Sequence, residues 1–292
     1  MSNQITTAFV EQYSNNVTML SQQMGSVLRP AVDVETVNGK KAFFEQIGQV
    51  TAQVRTSRHS DTPQLDTPHA RRSVTLADYE WADLIDDVDK IRMLIDPTSS
   101  YAKAAAAAMG RAMDDVVITA LGGTAKTGVT GSTDTALPSA QKPFSSSQGD
   151  TTAGALSVAK LTEAKFLLDS KSVDPSLKRY FLCSPKQIQN LLGITEVTSA
   201  DFNTVRALAQ GDVTSFMGFE FLVSNRLQLA NTDDRLCYAF TEDAIKLAIG
   251  KDVTARIDER ADKGYSTQVY YCMSIGATRM EEEKVVEVAC DE

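Results

Sequence analysis

The sequence predicts an α+β fold built around one long helix. An apolar period of 3.6 residues runs from Asp96 to Gly123, with cap and stop residues at its two ends. Before it, residues 41–85 alternate apolar and polar side chains, which is typical of strands. After about residue 155, short helical and strand patterns follow one another. The chain therefore combines a dominant helix with several strands rather than a regular βα alternation.

Length and charge bound the function classes. The chain has 292 residues, enough for one large domain or two modest ones. Its net charge is -9, and sequence-nonspecific DNA binding needs clustered Lys and Arg, so that class is disfavoured. An acidic surface is suited to lie near nucleic acid without adhering to it. No apolar run approaches the ~18 residues of a membrane span, and no signal-peptide pattern is expected.

The sequence predicts no catalytic, cofactor-binding or metal-binding residues. The four cysteines include no CxxC pair, so we expect reduced thiols rather than a metal site or a disulfide framework. The two histidines, His59 and His69, lie in a polar segment that supplies no orienting groups, which favours solvated or interface histidines. The string GGTAKTG follows a helix and lacks phosphate-loop spacing. An enzyme remains the weakest of the alternatives.

Residues 6–28 predict an amphipathic helix whose apolar face includes Phe9, Tyr13 and Val17. We interpret it as an N-terminal arm that packs on another subunit; a terminal core helix is the alternative. Residues 41–85 then predict two long strands joined by a polar tip. That segment carries four arginines: Arg55, Arg58, Arg71 and Arg72. Isolated hairpins are marginally stable, so a neighbouring subunit is the natural partner of this flap.

The long helix is preceded by a predicted short acidic helix over residues 82–95. Its acidic residues, which include Asp86, Asp87 and Asp89, lack calcium-loop spacing and indicate a solvated face. In the long helix, Asp96 can cap the N-terminus, Pro97 suits the first position, and Gly122 and Gly123 provide the stop. Its predicted packing face is Tyr101, Ala105, Ala108, Ala112, Val116 and Thr119 or Ala120. A structural spine is favoured over an ordinary core helix.

The remaining chain predicts a mobile loop or thin hairpin over residues 122–154 and then a mixed lobe. Helices are expected near residues 158–168, 185–192, 202–208 and 242–249, the last capped by Thr241. Strands are expected near residues 180–183, 216–227, 236–240, 253–257, 269–275 and 285–288.

Several strings in this order carry a resemblance to a known family. They are AFVEQYSNNV, HARRSVTLADYEWADLIDDVDK, SSYAKAAAAAMGRAMDDVVITAL, RYFLCSPKQIQNLL and FMGFEFLVSNRL. Together they resemble the major capsid proteins of tailed bacteriophages, whose Hong Kong 97-type fold encapsulins share. The resemblance implies an N-arm at 1–38, an extended β-hairpin E-loop at 39–81, and a P-domain at 82–154 with its spine helix at 96–121. It further implies an A-domain at 155–248 and P-domain strands with the C-terminus at 249–292.

The resemblance also implies partners. We expect a homo-oligomer of hexamers and pentamers that forms an icosahedral shell around double-stranded DNA. The DNA is expected to lie near the shell without sequence-specific binding. A separate scaffolding protein, a portal protein and a possible decoration protein are further expected partners, and the virion is the expected location after synthesis in the host bacterial cytoplasm. An encapsulin-type nanocompartment shell is the alternative. No lysine lies between Lys41 and Lys90, so the Lys–Asn isopeptide bonds of some relatives are not expected.

These considerations define a hypothetical inter-subunit interface. Its arm residues are Phe9, Tyr13 and Val17, its flap residues are Arg55, Arg58, Arg71 and Arg72, and its acidic counterparts are Asp86, Asp87 and Asp89. The guanidinium group pairs with carboxylates through two parallel hydrogen bonds, which suits recognition between copies.

Overall fold

A computed structural model describes residues 22–55, 57–58, 62, 64–86, 98–144, 154–194, 215–230 and 234–292. Within these ranges the chain forms three α-helices: α1 (Thr98–Gly122), α2 (Val158–Ser170) and α3 (Pro185–Leu192). It also forms thirteen strands: β1 (Asp33–Thr36), β2 (Lys41–Ile47), β3 (His69–Thr75), β4 (Ala77–Ile85), β5 (Ala125–Thr127), β6 (Thr133–Thr135), β7 (Arg179–Cys183), β8 (Ser215–Phe216), β9 (Phe219–Val223), β10 (Asp234–Thr241), β11 (Ile245–Arg260), β12 (Ser266–Arg279) and β13 (Val285–Asp291).

The strands form three sheets. The first has the order β1-β11-β12-β4, the second β13-β10-β7-β9-β8, and the third β2-β3-β5-β6. Only the β1–β11 and β7–β9 pairs are parallel among the described strands. One apolar core includes residues of α1, α2, α3 and the first and second sheets. The predicted α+β class is therefore confirmed.

Helix α1 has the predicted length and ends at Gly122, as the two glycines indicate. Asp96 and Pro97 lie outside the described residues. The buried stripe, however, is Ala105, Met109, Met113, Val117 and Leu121, which recur at steps of four. The predicted face is offset from this stripe: Ala112, Val116 and Ala120 pack against the core from its margin and are half-buried, whereas Thr119 is exposed. The larger side chains decide which face of an alanine-rich helix turns inward.

The flap begins as a hairpin, but it is shorter than predicted. Strands β2 and β3 pair from Lys41–Thr75 to Ile47–His69, and residues 48–55 then continue without strand pairing. The return strand is also divided. Leu76 N–H donates to Lys40 O at 3.0 Å, and from Ala77 onward the chain joins β12 in another sheet. The interpretation of residues 41–85 as a single hairpin was wrong, because Tyr79 and Trp81 extend a sheet formed by distant strands.

Two predicted helices are strands. Residues 82–85 belong to β4, where the buried Ile85 pairs with Thr267 of β12; residues 87–95 lie outside the described ranges. The helix predicted after Thr241 was also wrong. Ala244 N–H closes a turn on Thr241 O at 3.0 Å, and the Thr241 hydroxyl bonds Asp243. Ile245 then begins β11, the longest described strand.

The rest of the second half follows the prediction. Strands β7, β9, β10 and β12 and helices α2 and α3 cover the expected segments, while residues 202–208 lie outside the described ranges. Residues 125–135 form the thin hairpin β5–β6. The expected strand at 253–257 is the outer part of β11. The last strand, β13, pairs with β10 and so lies in the second sheet, whereas β12 lies in the first.

Arg279 ties the end of α1 to two sheets. Its side chain is 0% exposed, and Nη1 donates to Leu121 O and Gly123 O, each at 2.8 Å. Nη2 donates to Thr135 O of β6 at 3.2 Å. The last carbonyls of a helix lack intrahelical donors and carry partial negative charge, so a guanidinium group stabilises them. Burial lowers the pKa of Arg279, and a nearby carboxylate offsets part of this shift.

That carboxylate is Glu282, which also holds the flap. It lies 3.8 Å from Arg279 Nε and accepts from Arg72 of β3 at 2.7 Å. Arg72 is itself buried, and its Nε donates to Met280 O at 2.9 Å. The helix end, the β12 end and the root of the flap therefore share one ionic network.

We expect Arg279→Leu to destabilise the subunit strongly. The substitution leaves buried carbonyls without a donor, and breaking a buried ionic group of this kind costs roughly 3–5 kcal/mol. Denaturant unfolding of the unassembled subunit measures the loss. Arg260→Leu is the matched control, since Arg260 pairs with Asp262 on an exposed turn and its loss should leave the midpoint unchanged. Equal midpoints for both variants would contradict the role of the network.

Candidate inter-subunit interface

The segment that follows the predicted arm residues is anchored on α1. Asp114 is fully buried in that helix, and its carboxylate accepts the Val27 and Leu28 N–H groups, each at 3.1 Å. It also accepts from Ser26 Oγ and Gln23 Nε2, each at 2.5 Å. Four hydrogen bonds to one carboxylate compensate for its burial. Residues 22–28 therefore form an irregular, anchored segment, so the helix predicted over residues 6–28 was wrong for this last part; residues 6–21 lie outside the described residues.

The packing around this anchored segment is close. A Cβ atom at Gly110 would lie 2.4 Å from the carbonyl carbon of Gly25, so the arm backbone passes directly against α1 at this position. At the far side, the Arg29 guanidinium donates to both carboxylate oxygens of Asp252 in β11 and holds the pKa of that carboxyl below its ordinary value. The arm residues Phe9, Tyr13 and Val17 lie outside the described residues.

The outward face of the flap root carries charge around an aromatic ring. Arg71 Nη2 pairs with Glu45 across the hairpin at 2.6 Å, and the Arg71 guanidinium lies 5.4 Å from the Phe43 ring centroid. Lys41 Nζ lies 5.1 Å from the same ring and donates to two carbonyls of the β5–β6 turn. These contacts hold the root rigid within the subunit.

Beyond the root, the flap exposes apolar side chains. Val50 is 56% exposed and Val54 89% exposed. Gly48 N–H donates to Pro68 O at 2.8 Å, and Arg55 then donates to the carbonyls of Ser57 and Arg58. Apolar side chains this exposed on an extended segment indicate a surface that another chain covers.

The hypothetical interface residues therefore separate into groups. Arg55 and Arg58 are exposed on the flap, and Asp86 is exposed at the end of β4. Arg71 is bound to Glu45 of its own chain, and Arg72 is buried against Glu282, so Arg72 was wrongly assigned to a surface. Asp87 and Asp89 lie outside the described residues.

Sequence reasoning missed the role of Asp114. Side chains of adjacent residues on a helix point apart, and the sequence indicates no more than this for Asp114 and Asp115. In the structure Asp114 is buried, and Asp115 pairs with Arg226 on the other side. The available signal was Gly110, one helical turn before Asp114 and on the same face. A glycine and an acid so placed in a helix indicate close approach of a backbone that offers N–H groups.

The described residues contain no group of His, Cys, Asp and Glu side chains arranged to hold a metal ion. None of the described helices is long and apolar enough to cross a membrane. All four cysteines are free: Cys183, Cys237 and Cys290 are buried, and Cys272 is half-buried. Lys251 Nζ lies 3.0 Å from Cys272 Sγ and lowers the pKa of that thiol.

The sequence and the fold of the chain are similar to those of known proteins. The sequence model of the family described as phage capsid protein matches residues 5–292. The fold is similar to the capsid of cyanophage P-SCSP1u, with TM-score 0.75 and 17% identity, covering 99% of this chain and 94% of that chain. It is also similar to the capsid of Ralstonia phage GP4, with TM-score 0.72, 10% identity and coverage of 97% and 95%. No curated protein sequence matches the chain.

We expect Asp114→Ala to release the anchored segment 22–28. The buried Leu28 N–H and the part-buried Val27 N–H lose their acceptor, at a cost of roughly 1–3 kcal/mol for a buried group left unpaired. Limited proteolysis followed by mass spectrometry should then show new cleavage between residues 22 and 30. Asp115→Ala is the matched control, because its half-exposed pair with Arg226 lies on another face of α1. Unchanged cleavage in Asp114→Ala would contradict the anchoring role.

Proposed function

The chain belongs to the phage capsid protein family, and from this premise we propose that it is the major capsid protein of a tailed bacteriophage. In this proposal it assembles as hexamers and pentamers into an icosahedral shell around double-stranded DNA. The observation that carries the proposal is the family match over residues 5–292 together with a capsid fold along the whole chain.

The surface of the subunit supports assembly rather than a solitary monomer. The flap exposes valines, residues 22–28 are anchored on α1, and β11 continues beyond Ile249 with mostly exposed residues. Stable obligate interfaces bury about 2,000 Å² or more, which elements that reach across neighbours can provide. We infer that the arm, through Phe9, Tyr13 and Val17, and the flap, through Arg55 and Arg58, pack on adjacent copies.

The proposal assigns a role to each segment. Residues 1–38 act as the N-arm and 39–81 as the E-loop, while 82–154 and 249–292 form the P-domain and 155–248 the A-domain near the capsomer axis. One subunit must fit both hexamers and pentamers, so joints are needed beside rigid parts. The ionic network at Arg279 favours a rigid part in this region, and the unpaired flap beyond Gly48 favours a joint there.

Partners and location complete the proposal. A separate scaffolding protein guides closure, a portal protein occupies one vertex, and a decoration protein is an optional outer partner. The shell is assembled in the host bacterial cytoplasm and ends in the virion. The net charge of -9 supports a wall past which packaged DNA slides without adhering. Non-covalent contacts hold the shell in this proposal, because the flap has no lysine between Lys41 and Lys90 and Lys41 donates to carbonyls of its own subunit.

We expect closed shells when the chain is co-expressed with its scaffolding protein, visible by electron microscopy and sedimentation. Boiled in detergent, the particles should run as a single band near 31.7 kDa. A monodisperse monomer at high concentration in the presence of scaffold would contradict the proposal. Shells that close without scaffold and enclose protein cargo would favour the encapsulin-type alternative instead.

We expect the flap to matter for assembly more than for folding. Replacing residues 49–67 with a short Gly/Ser turn removes the exposed valines but leaves β2, β3 and their ionic contacts. The variant should unfold cooperatively at the wild-type midpoint and fail to form shells. Replacing the exposed turn residues 174–176 between α2 and β7 with Gly/Ser is the control, and it should permit assembly. A flap variant that does not fold would show that these residues belong to the core.

A further inference from the structure

The connection between β1 and β2 holds an asparagine followed by a glycine. Asn38 is the only asparagine in the sequence that precedes a glycine, and both residues are exposed. The φ angle of Gly39 is 98°, in the left-handed region that glycine adopts without strain. A Cβ atom placed on Gly39 would meet no atom of the described residues within 4 Å beyond its chain neighbours. The backbone of this turn is therefore unobstructed and open to water.

The amide nitrogen of Gly39 is available for reaction. Within the described ranges, its N–H group has no hydrogen-bond acceptor. Asparagine is one of the chemically labile residues, and a side chain on the next residue hinders attack by that residue's nitrogen on the asparagine amide. Glycine has no side chain to hinder this attack. The other asparagines in the described ranges, Asn190 and Asn225, precede leucine and arginine, and Asn190 lies inside α3.

Backbone hydrogen bonds fix the chain on either side of this turn. Val37 N–H donates to Ile249 O at 3.0 Å, and Lys40 O accepts from Leu76 N–H at 3.0 Å. Val37 is buried, whereas the three residues that follow it are exposed. The turn joins β1 of the first sheet to β2 of the third sheet. A change in the length of its backbone therefore acts on these two hydrogen bonds.

We propose that Asn38 is a site of spontaneous deamidation, at which water replaces ammonia. The Gly39 nitrogen attacks the side-chain carbonyl carbon of Asn38 and loses its proton, and the side-chain nitrogen leaves as ammonia. The resulting five-membered succinimide takes up one water molecule at either of its carbonyl carbons and opens to aspartate or to isoaspartate. The reaction consumes no oxidant or reductant, so the turn and water are sufficient for it.

Both products change the turn. Each replaces a neutral amide with a carboxylate next to the exposed Lys40. In isoaspartate the chain also continues through the side-chain carbons of residue 38, which adds one bond to the backbone between Val37 and Gly39. Because hydrogen bonds hold both ends of the turn, the longer backbone strains or opens one of them. The reaction is therefore a slow chemical change at the junction between the first sheet and the flap root.

Ageing of the purified, unassembled subunit tests the proposal. In mildly alkaline buffer, peptide mass spectrometry should show aspartate and isoaspartate accumulating at position 38 several-fold faster than acid forms at Asn190 or Asn225. Asn38→Gln is the matched control, because the longer amide would have to close a six-membered ring, and it should stay unmodified over the same period. Equal rates at the three asparagines would overturn the proposal.

The contribution of the folded turn is tested by comparison with the unfolded chain. Because the turn is exposed, the rate at Asn38 in the native subunit should lie within a few-fold of the rate in urea. Strong protection of Asn38 by folding would show that the turn is closed to the reaction, and the proposal would be wrong.

Hydrogen exchange measures the effect of the reaction on the turn. The Val37 or Leu76 amide should exchange faster in aged wild-type subunit than in fresh subunit, whereas aged Asn38→Gln should match the fresh protein. Isoaspartate at position 38 without a change at either amide would overturn the assigned effect. None of these measurements depends on shell formation, so they leave the proposed function to its own test.

Discussion

The guanidinium of Arg279 fixes how the rest of this molecule is arranged. It donates hydrogen bonds to a carbonyl at the end of α1 and to a carbonyl of β6. It also lies beside Glu282, which pairs with Arg72 of the flap root. Taking these charges out of water is costly unless each has good partners. The partners come from the end of α1, from β6 and from Glu282, three residues beyond Arg279, so the network forms only when the helix, the first sheet and the flap meet in one geometry. Because several contacts hold this junction, the flap root has a fixed position in the subunit.

The spine was predictable because its signals are local. Glycines at its end and a period of 3.6 residues specify a long helix regardless of tertiary context. The helix predicted over residues 242–249 was wrong for the opposite reason, because distant residues decide the structure of this segment. Its apolar residues suit a helix, but strand β12 and the pair of Lys246 with Asp33 and Glu35 draw it into a sheet. The Thr241 hydroxyl donates to the Asp243 carboxylate instead of accepting a backbone N–H as a helix cap would, and the Thr241 carbonyl closes a turn.

The candidate interface was predictable only in outline. An exposed arginine and a buried one look alike in sequence, so Arg55 and Arg72 received the same role. Arg72 differs because Glu282, more than 200 residues away, lies beside it in space. Asp114 was missed for a related reason: its partners are backbone N–H groups, which carry no sequence signature of their own. What sequence could indicate was the class of element, an arm and a flap that need partners.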